Sequence, residues 1–283
     1  MENHRPIRIG TRGSALAKVQ AKRVQALFKL KGIDSSIHVI QTTGDLKTDP
    51  IHLLGGKGVF VKDIEAALMH HDIDIAVHSF KDITATPETG LVYSGFLMEE
   101  RSTDAIILFT DSDIHKQPAR LGTGSLRRKA LCDHLYPNVT CIPMRGNIDT
   151  RIKNAKALNY DGVILSTAGL QRLKLDHLIS HELDPRAFIP APGQGMLALQ
   201  ARCNDNNSIN AINGIVNQHD QAIGRHYFEL LKGVEFNCNV PLGAQIINQE
   251  WHVFLGANGP QYFRHPLADT MGVIKRVKVA AHA

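Results

Sequence analysis

Short apolar segments alternate with amphipathic segments along most of the chain. Residues 7–9 have the apolar character of a strand. Ala17, Val24 and Phe28 then recur at the spacing of one helix face. Ser14 stands where an N-cap would begin that helix. A strand, a polar loop and an amphipathic helix therefore form the first structural unit.

The same unit is repeated further along. Further strands are predicted at 36–41, 73–78, 105–109, 139–144, 162–166 and 196–202. Helices are expected around Phe60, from Leu126 and after the segment Thr167-Ala168-Gly169. Repeated strand–loop–helix units predict parallel sheets covered by helices. Ligands of such sheets bind at the carboxyl ends of the strands, and the polar loops of this chain fall at that end.

Two segments resemble paired crossings between lobes, namely 99–102 and 189–195. From about Asn217 the pattern changes. We therefore expect an α/β fold of two lobes with mainly parallel sheets, plus a small α+β third domain. The predicted domains are 1–98 with 195–216 (domain 1), 102–190 (domain 2) and 217–283 (domain 3).

The composition limits the possible locations and partners. A content of 43% hydrophobic and 21% charged residues suits a globular protein. No apolar run reaches the roughly 18 residues of a membrane span, and the N-terminus has no apolar signal core, so we expect a cytoplasmic protein. The four cysteines lack zinc spacing, and the histidines lack a third ligand nearby, so no metal site is predicted.

The formal net charge of +5 is not gathered into one basic run. Several arginines instead lie in loops rich in Gly, Ser and Thr, which favours a concave site for a small polyanion. Aromatic residues make up only 6% of the chain and do not alternate with basic ones. A nucleic-acid surface is therefore disfavoured.

The segment 122–128 is the sharpest of these anion-binding motifs. Thr123 and Ser125 offer hydroxyls at a helix start that favours anions, and Arg127 and Arg128 follow within one turn. Adjacent helical positions diverge by roughly 100°, so we expect the two arginines to hold different anions. A merely solvated role for one of them is the alternative.

Other cationic loops supply further candidates. Arg12 lies in a Gly-Thr-Arg-Gly-Ser loop, and Arg145 and Arg151 flank a glycine, Gly146, that permits close backbone approach. A capping loop alone would also explain the first of these. The glycine-rich segment 55–58 predicts a flexible lid, whose candidate residues are Lys57, Gly58, Phe60 and Lys62. A plain glycine-rich surface loop is the alternative.

Two further residues could carry chemistry. Asp82 follows a buried strand next to Lys81, where a carboxylate can transfer a proton or stabilise a cation. A structural Lys–Asp pair is the alternative. Cys238 lies in a polar, turn-prone stretch typical of an exposed thiol that can be alkylated. A loop thiol without function is the alternative there.

Taken together, these motifs resemble the porphobilinogen deaminase family along nearly the whole chain. The resembling stretches are 9–17 (IGTRGSALA), 42–45 (TTGD), 55–58 (GGKG), 76–82 (AVHSFKD), 121–128 (LGTGSLRR), 144–147 (MRGN), 191–195 (APGQG) and 238–243 (CNVPLG). The chain departs from the family pattern where Phe236-Asn237 replaces Gly-Gly, and where Gly224 replaces Glu.

The resemblance implies two lobes similar to those of periplasmic binding proteins and a dipyrromethane cofactor joined to Cys238 by a thioether. It implies that Asp82 is catalytic. It assigns cofactor contacts to Lys81, Ser79, Thr123, Ser125, Arg127, Arg128, Arg145 and Gly146. It assigns substrate contacts to Arg12, Ser14, Arg151, Arg172 and Gln194.

The implied activity is the head-to-tail joining of four porphobilinogen molecules, with loss of ammonia, into a linear tetrapyrrole. Each pyrrole carries two carboxylates, which explains the many arginines, because a guanidinium binds a carboxylate through two bonds. We expect a monomer whose partner is the small-molecule substrate, without a nucleic acid or a membrane. The alternative is a two-lobed carboxylate-binding protein of the same descent that lacks the cofactor and turnover.

Overall fold

The computed structural model describes residues 5–42, 58–98, 101–110, 113–235 and 240–282, without the side chains of residues 58–60 and 282. The chain separates into two compact units, with 1–99 and 196–237 in unit 1 and 100–195 and 238–283 in unit 2. The chain thus changes units at 99/100, within the first expected crossing segment, at 195/196, at the end of the second, and again at 237/238. The three-domain boundaries stay a prediction.

Unit 1 begins with alternating strands and helices. They are β1 (Ile7–Arg12), α1 (Ala15–Leu30), β2 (Ser35–Ile40), α2 (Gly58–Met69), β3 (Ile75–Ser79) and β4 (Leu91–Met98). The Ser14 hydroxyl accepts a hydrogen bond from the Ala17 N–H at 3.3 Å, so Ser14 caps α1 as predicted. Val24 and Phe28 of the predicted apolar face are fully buried.

The chain then passes through unit 2. Its elements are β5 (Asp104–Leu108), β6 (Ala119–Thr123), α3 (Leu126–Leu135), β7 (Val139–Pro143), α4 (Ile148–Ala157), β8 (Gly162–Ser166), α5 (Thr167–Arg172) and β9 (His181–Glu182). It returns to unit 1 with β10 (Met196–Arg202), α6 (Asn206–Ile215) and α7 (Gln218–Gly233). Unit 2 is completed by β11 (Leu242–Ile247), β12 (Glu250–Leu255), β13 (Gln261–Pro266) and α8 (Thr270–His282).

Each unit contains a five-stranded sheet built to the same plan. The strand order is β2-β1-β3-β10-β4 in unit 1 and β7-β6-β8-β5-β9 in unit 2. In each sheet one strand, β10 or β5, runs antiparallel to both neighbours, and the other four strands share one direction. The predicted α/β fold with mainly parallel sheets is confirmed.

The direction of β5 and β10 decides which residues meet at the carboxyl edge of each sheet, where the parallel strands end. An antiparallel strand begins where its parallel neighbours end. Asp104, the first residue of β5, is accordingly paired with Ser166, the last residue of β8. In unit 1, Leu197 near the start of β10 is paired with Ser79, the last residue of β3.

The C-terminal part of unit 2 is a three-stranded antiparallel sheet, β11-β12-β13, accompanied by α8. It shares a hydrophobic core with the five-stranded sheet, because Phe254 is clustered with Leu131 and Ile189. The Ala244 N–H also donates to the Pro190 carbonyl at 2.9 Å. This α+β segment thus belongs to unit 2, and a separate third domain over 217–283 stays a prediction.

A buried carboxylate ties together the opposite, amino edge of the unit 1 sheet. Asp74, immediately before β3, accepts hydrogen bonds from Arg8 Nη2 at 3.0 Å, Arg5 Nη2 at 2.9 Å and Arg202 Nη2 at 3.2 Å. Burial acts to raise the pKa of Asp74, and the hydrogen bonds from Arg8 and Arg5 outweigh it, so that the pKa lies well below its usual range.

Candidate functional site

The predicted residues of unit 1 gather at the carboxyl edge of its sheet. Arg12 ends β1, Ser79 ends β3, and Lys81 and Asp82 lie in a 3-10 turn directly after it. Because β1 and β3 are parallel neighbours, their ends lie at the same edge. All four side chains, and that of Ser14, are partly exposed, as a ligand-binding edge requires.

The turn that carries Asp82 is firmly anchored. Phe80 is fully buried, with its ring 5.4 Å from that of Phe96 and 6.0 Å from that of Tyr227. On the strand side, the Ser79 hydroxyl accepts a hydrogen bond from Gln20 Nε2 at 2.8 Å. Ile83, directly after Asp82, is also buried. Packing on both sides of the Lys81–Asp82 pair therefore holds Asp82 in a defined position.

A chain of buried polar groups lies beneath this edge. His78 Nε2 is 3.0 Å from Gln200 Oε1, and Gln200 Nε2 donates to Glu65 Oε1 at 2.7 Å. The Gln200 oxygen therefore faces His78, so that Nε2 carries the imidazole proton. Burial lowers the pKa of His78 to about 4, and the ring is neutral at pH 7.

In unit 2 the corresponding edge contains the loop between β6 and α3. Thr123 ends β6, and its hydroxyl accepts from the Ser125 N–H at 3.3 Å. Ser125 in turn caps α3 by accepting from the Arg128 N–H at 3.3 Å. Any Cβ at Gly124 would collide with the Met144 carbonyl oxygen, so only glycine fits this close approach.

Arg127 and Arg128 converge on one carboxylate. Arg127 Nη1 donates to Asp104 Oδ2 at 2.7 Å, and Arg128 Nη2 donates to Asp104 Oδ1 at 2.7 Å. Asp104 is 0% exposed and each arginine 5%. The expectation that the two arginines diverge is therefore wrong, because both are long enough to reach the start of β5.

The charges in this cluster do not balance. Burial acts to raise the pKa of Asp104, and the charges of Arg127 and Arg128 outweigh it and hold the pKa well below its usual range. Two guanidinium groups thus face one carboxylate. The surplus positive charge, next to the N-terminus of α3, favours an anionic ligand.

Asp104 was not among the residues predicted from the sequence. A signal was present, because a lone carboxylate directly precedes the apolar run Ala105–Leu108. Charged residues are rarely buried unless they are paired. That pattern could have indicated a buried ion pair, although not its partners.

The remaining predicted residues of unit 2 mostly contact backbone. Arg151 Nε donates to the Gly146 carbonyl at 2.7 Å, and Arg172 Nη2 donates to the Gly195 carbonyl at 2.7 Å. Gly146 has a φ of 104°, which favours glycine. Arg145, after β7, is partly exposed.

Gln194 is buried and donates to Asp104 Oδ1 at 3.0 Å, which joins it to the arginine cluster.

Some predicted residues cannot be placed. Cys238 and Lys57 lie outside the described residues. Gly58, Phe60 and Lys62 belong to the first turns of α2, where Lys62 is exposed, so this part of the predicted lid is helical. The binding and lid roles of all these residues stay predictions.

The described residues contain no group of three or more His, Cys, Asp or Glu side chains that could hold a metal ion. None of the helices in the described ranges has the length and apolar character needed to cross a bilayer.

Comparison with known proteins identifies the family of this chain. A family model described as porphobilinogen deaminase, dipyrromethane cofactor binding domain, matches residues 7–210. The chain belongs to the porphobilinogen deaminase family. Enzymes of this family are transferases of tetrapyrrole biosynthesis. They join four porphobilinogen molecules head to tail, with loss of ammonia, into hydroxymethylbilane, and this is the activity of the chain.

Curated porphobilinogen deaminases show how far the similarity extends. The enzyme of Syntrophobacter fumaroxidans is 37% identical over 244 residues, which cover 84% of this chain and 79% of the relative. That of Ehrlichia canis is 39% identical, over 84% and 82% of the two chains. That of Acidithiobacillus ferrooxidans is 42% identical, over 70% and 67%.

Some solved structures also align with the chain at low sequence identity. The periplasmic VFT2 domain of Bordetella pertussis BvgS aligns at 13% identity with a TM-score of 0.47, over 79% of this chain and 92% of that one. The family assignment does not rest on this likeness.

The residues at the unit 2 edge suit the dipyrromethane cofactor of the porphobilinogen deaminases. The carboxylates of its two pyrrole rings need cationic and hydroxyl donors. Thr123, Ser125 and Arg145 supply such groups at the edge, and the cluster around Asp104 has surplus positive charge. The donor set therefore fits the group.

Proposed function

We propose that Asp82 is the catalytic carboxylate of this porphobilinogen deaminase and that Cys238 carries the dipyrromethane. The observation that carries the proposal is the position of Asp82. It lies on an anchored turn at the carboxyl edge of the unit 1 sheet, within the region matched by the family model. Ligands of α/β sheets bind at that edge.

The reaction requires a group that stabilises a transient positive charge. The C–N bond of the aminomethyl group breaks, ammonia leaves, and porphobilinogen becomes an azafulvene cation. An α-carbon then attacks this cation, a C–C bond forms and a proton is lost. The dipyrromethane, when bound, supplies the first attacking α-carbon. Asp82, held by the packing of Phe80, stabilises the cation and accepts hydrogen bonds from pyrrole N–H groups.

The cationic and hydroxyl side chains hold the carboxylates of the ligand. In unit 1 these are Arg12, Ser14, Ser79 and Lys81. In unit 2 they are Thr123, Ser125, Arg127, Arg145, Arg151 and Arg172, with the Gly146 backbone beside them, and Arg128 contributes its charge from within the cluster around Asp104. Arginine suits this task because its planar group binds a carboxylate through two bonds and stays charged. Gln194 acts through the cluster that it joins.

The direct test uses the purified protein with porphobilinogen. We expect ammonia release, a linear tetrapyrrole product, and an intact mass that exceeds the polypeptide by two pyrrole units. Cys238→Ser should remove the extra mass. A protein that binds porphobilinogen but shows neither the extra mass nor ammonia release would instead be the carboxylate-binding alternative.

Asp82→Asn tests the catalytic role. We expect the variant to fold and keep the extra mass, with turnover reduced by about a hundredfold or more, because the developing cation loses its counter-charge. Asp72→Asn, at an exposed position in the same unit, is the matched control and should turn over normally. Normal turnover by Asp82→Asn would refute the assignment.

We also propose a cytoplasmic monomer. The described cysteines Cys132, Cys141 and Cys203 are free thiols, as is usual in a reducing compartment. Cell fractionation and the mass measured by light scattering test these two statements, and a stable dimer would overturn the second.

A further inference from the structure

We infer that Asp104 is a positioning residue of the anion site and that it gives Arg127 and Arg128 different tasks. Asp104 orients both side chains. Of the two, only Arg127 keeps its Nε–Nη2 edge available to bind a ligand carboxylate through two hydrogen bonds. The inference deepens the proposed function and rests on it.

Asp104 accepts four hydrogen bonds from three side chains. Its Oδ1 accepts from Arg128 Nη2 at 2.7 Å, Arg128 Nε at 3.0 Å and Gln194 Nε2 at 3.0 Å, and its Oδ2 accepts from Arg127 Nη1 at 2.7 Å. Asp104 and its three partner side chains are all buried. A buried carboxylate with this many charge-assisted hydrogen bonds fixes the geometry of its partners.

The two guanidinium groups use different edges for their hydrogen bonds to the protein. Arg128 gives its Nε and Nη2 to Asp104 and its Nη1 to the Ile164 carbonyl at 2.9 Å. Its two-bond edge is therefore committed to the protein. Arg127 uses Nη1 alone, for Asp104 and for the Ile189 carbonyl at 2.8 Å. Within the described ranges, no residue accepts a hydrogen bond from its Nε or Nη2.

The charges of Asp104, Arg127 and Arg128 sum to one positive charge. Two adjacent buried guanidiniums repel each other, and Asp104 offsets this repulsion while leaving one positive charge over. The Nε–Nη2 edge of a guanidinium matches a carboxylate through two parallel bonds. Asp104 therefore keeps the pair together and leaves that edge of Arg127 for the anion.

Asp104→Asn tests the inference, because it keeps the shape of the side chain and removes its charge. Asp74→Asn is the matched control, since Asp74 is an equally buried carboxylate held by arginines in unit 1, at the edge away from the predicted site residues. Both variants should lower the thermal midpoint. Only Asp104→Asn should reduce the fraction that carries the two-pyrrole mass and raise KM for porphobilinogen, by about tenfold or more, with a smaller change in the kcat of the loaded fraction.

Two lysine variants test the division of tasks. Arg127→Lys should keep the thermal midpoint close to wild type and raise KM, because it loses the edge offered to the ligand. Arg128→Lys should lower the midpoint as Asp104→Asn does. If Asp104→Asn does not fold, Asp104→Glu, which keeps the charge, should retain more of the two-pyrrole mass than Asp104→Ala.

The outcomes separate this inference from the proposed function. A loaded and active wild type together with unchanged KM and loading in Asp104→Asn would overturn the inference alone. Equal effects of Arg127→Lys and Arg128→Lys on midpoint and KM would overturn the division of tasks. A wild type without the two-pyrrole mass and without turnover would remove the proposed function, and this inference with it.

Discussion

Gly224 in α7 allows a sharp test of packing in unit 1. The family pattern has Glu at this position, and here Phe96 of β4 takes the space. A Cβ built on Gly224 would overlap Cβ, Cγ and Cδ2 of Phe96, well inside van der Waals contact. Phe96 is 2% exposed and packs against Phe80 at 5.4 Å, so its ring has little room to retreat.

Two opposing terms set the size of the effect of Gly224→Ala. Replacing a helical glycine by alanine contributes a gain of up to about 1 kcal/mol. Overpacking a filled core costs about 1–3 kcal/mol, and a clash with the Cβ of Phe96 belongs at the upper end, because that atom moves only with the backbone. We expect a net loss of about 2 kcal/mol in the free energy of unfolding, or roughly 4–8 °C in Tm.

Gly214→Ala in α6 is the matched control. No atom lies within 4 Å of a Cβ at Gly214, so only the helix gain of up to about 1 kcal/mol applies. Urea unfolding followed by far-UV circular dichroism measures both variants against wild type. A Gly224→Ala protein as stable as Gly214→Ala would show that Phe96 yields and that the packing argument is mistaken.

Two further predictions concern titration and reactivity. The folded pKa of His78, about 4, lies below its ordinary value of 6.5. The unfolded chain binds the additional proton between these values, so stability should fall as the pH drops from 6.5 to 4, and urea midpoints of His78→Gln should show a flatter pH profile. A hydrogen bond with Cys141 and burial raise the pKa of Cys132, while Cys203 is exposed. A maleimide should therefore label Cys203 in the native protein and Cys132 only after unfolding, as read by peptide mass spectrometry.

Much of the secondary structure could be predicted from periodicity. The strand predicted at 196–202 has the observed bounds of β10, and the predicted apolar face of α1 is buried. The strand predicted from residue 73 begins at Ile75 instead. Asp74 is engaged by Arg8 and Arg202, which fixes the chain there by side-chain bonds rather than by the regular pairing of a strand.

The motifs predicted which loops carry polar groups, and the sheet topology places those groups where expected. Arg12, Ser79 and Thr123 each end a parallel strand, which is why each lies at a carboxyl edge. The partners of Arg127 and Arg128 were not predictable in the same way. Helical geometry separates adjacent side chains by roughly 100°, and only the tertiary position of Asp104 brings the two guanidiniums together.

The position of Asp104 depends on strand direction, which local pattern does not encode. A buried apolar strand has the same hydrophobic profile whether it runs parallel or antiparallel to its neighbours. Had β5 run parallel to β8, Asp104 would lie at the amino edge, a full strand length of about 13–17 Å from Ser166 and the start of α3. In the observed topology it is paired with Ser166 and lies at the start of the helix that carries both arginines. The segment before β5 enters unit 2 at the carboxyl edge, and this is the reason that a carboxylate, and not only cations, is built into the anion site.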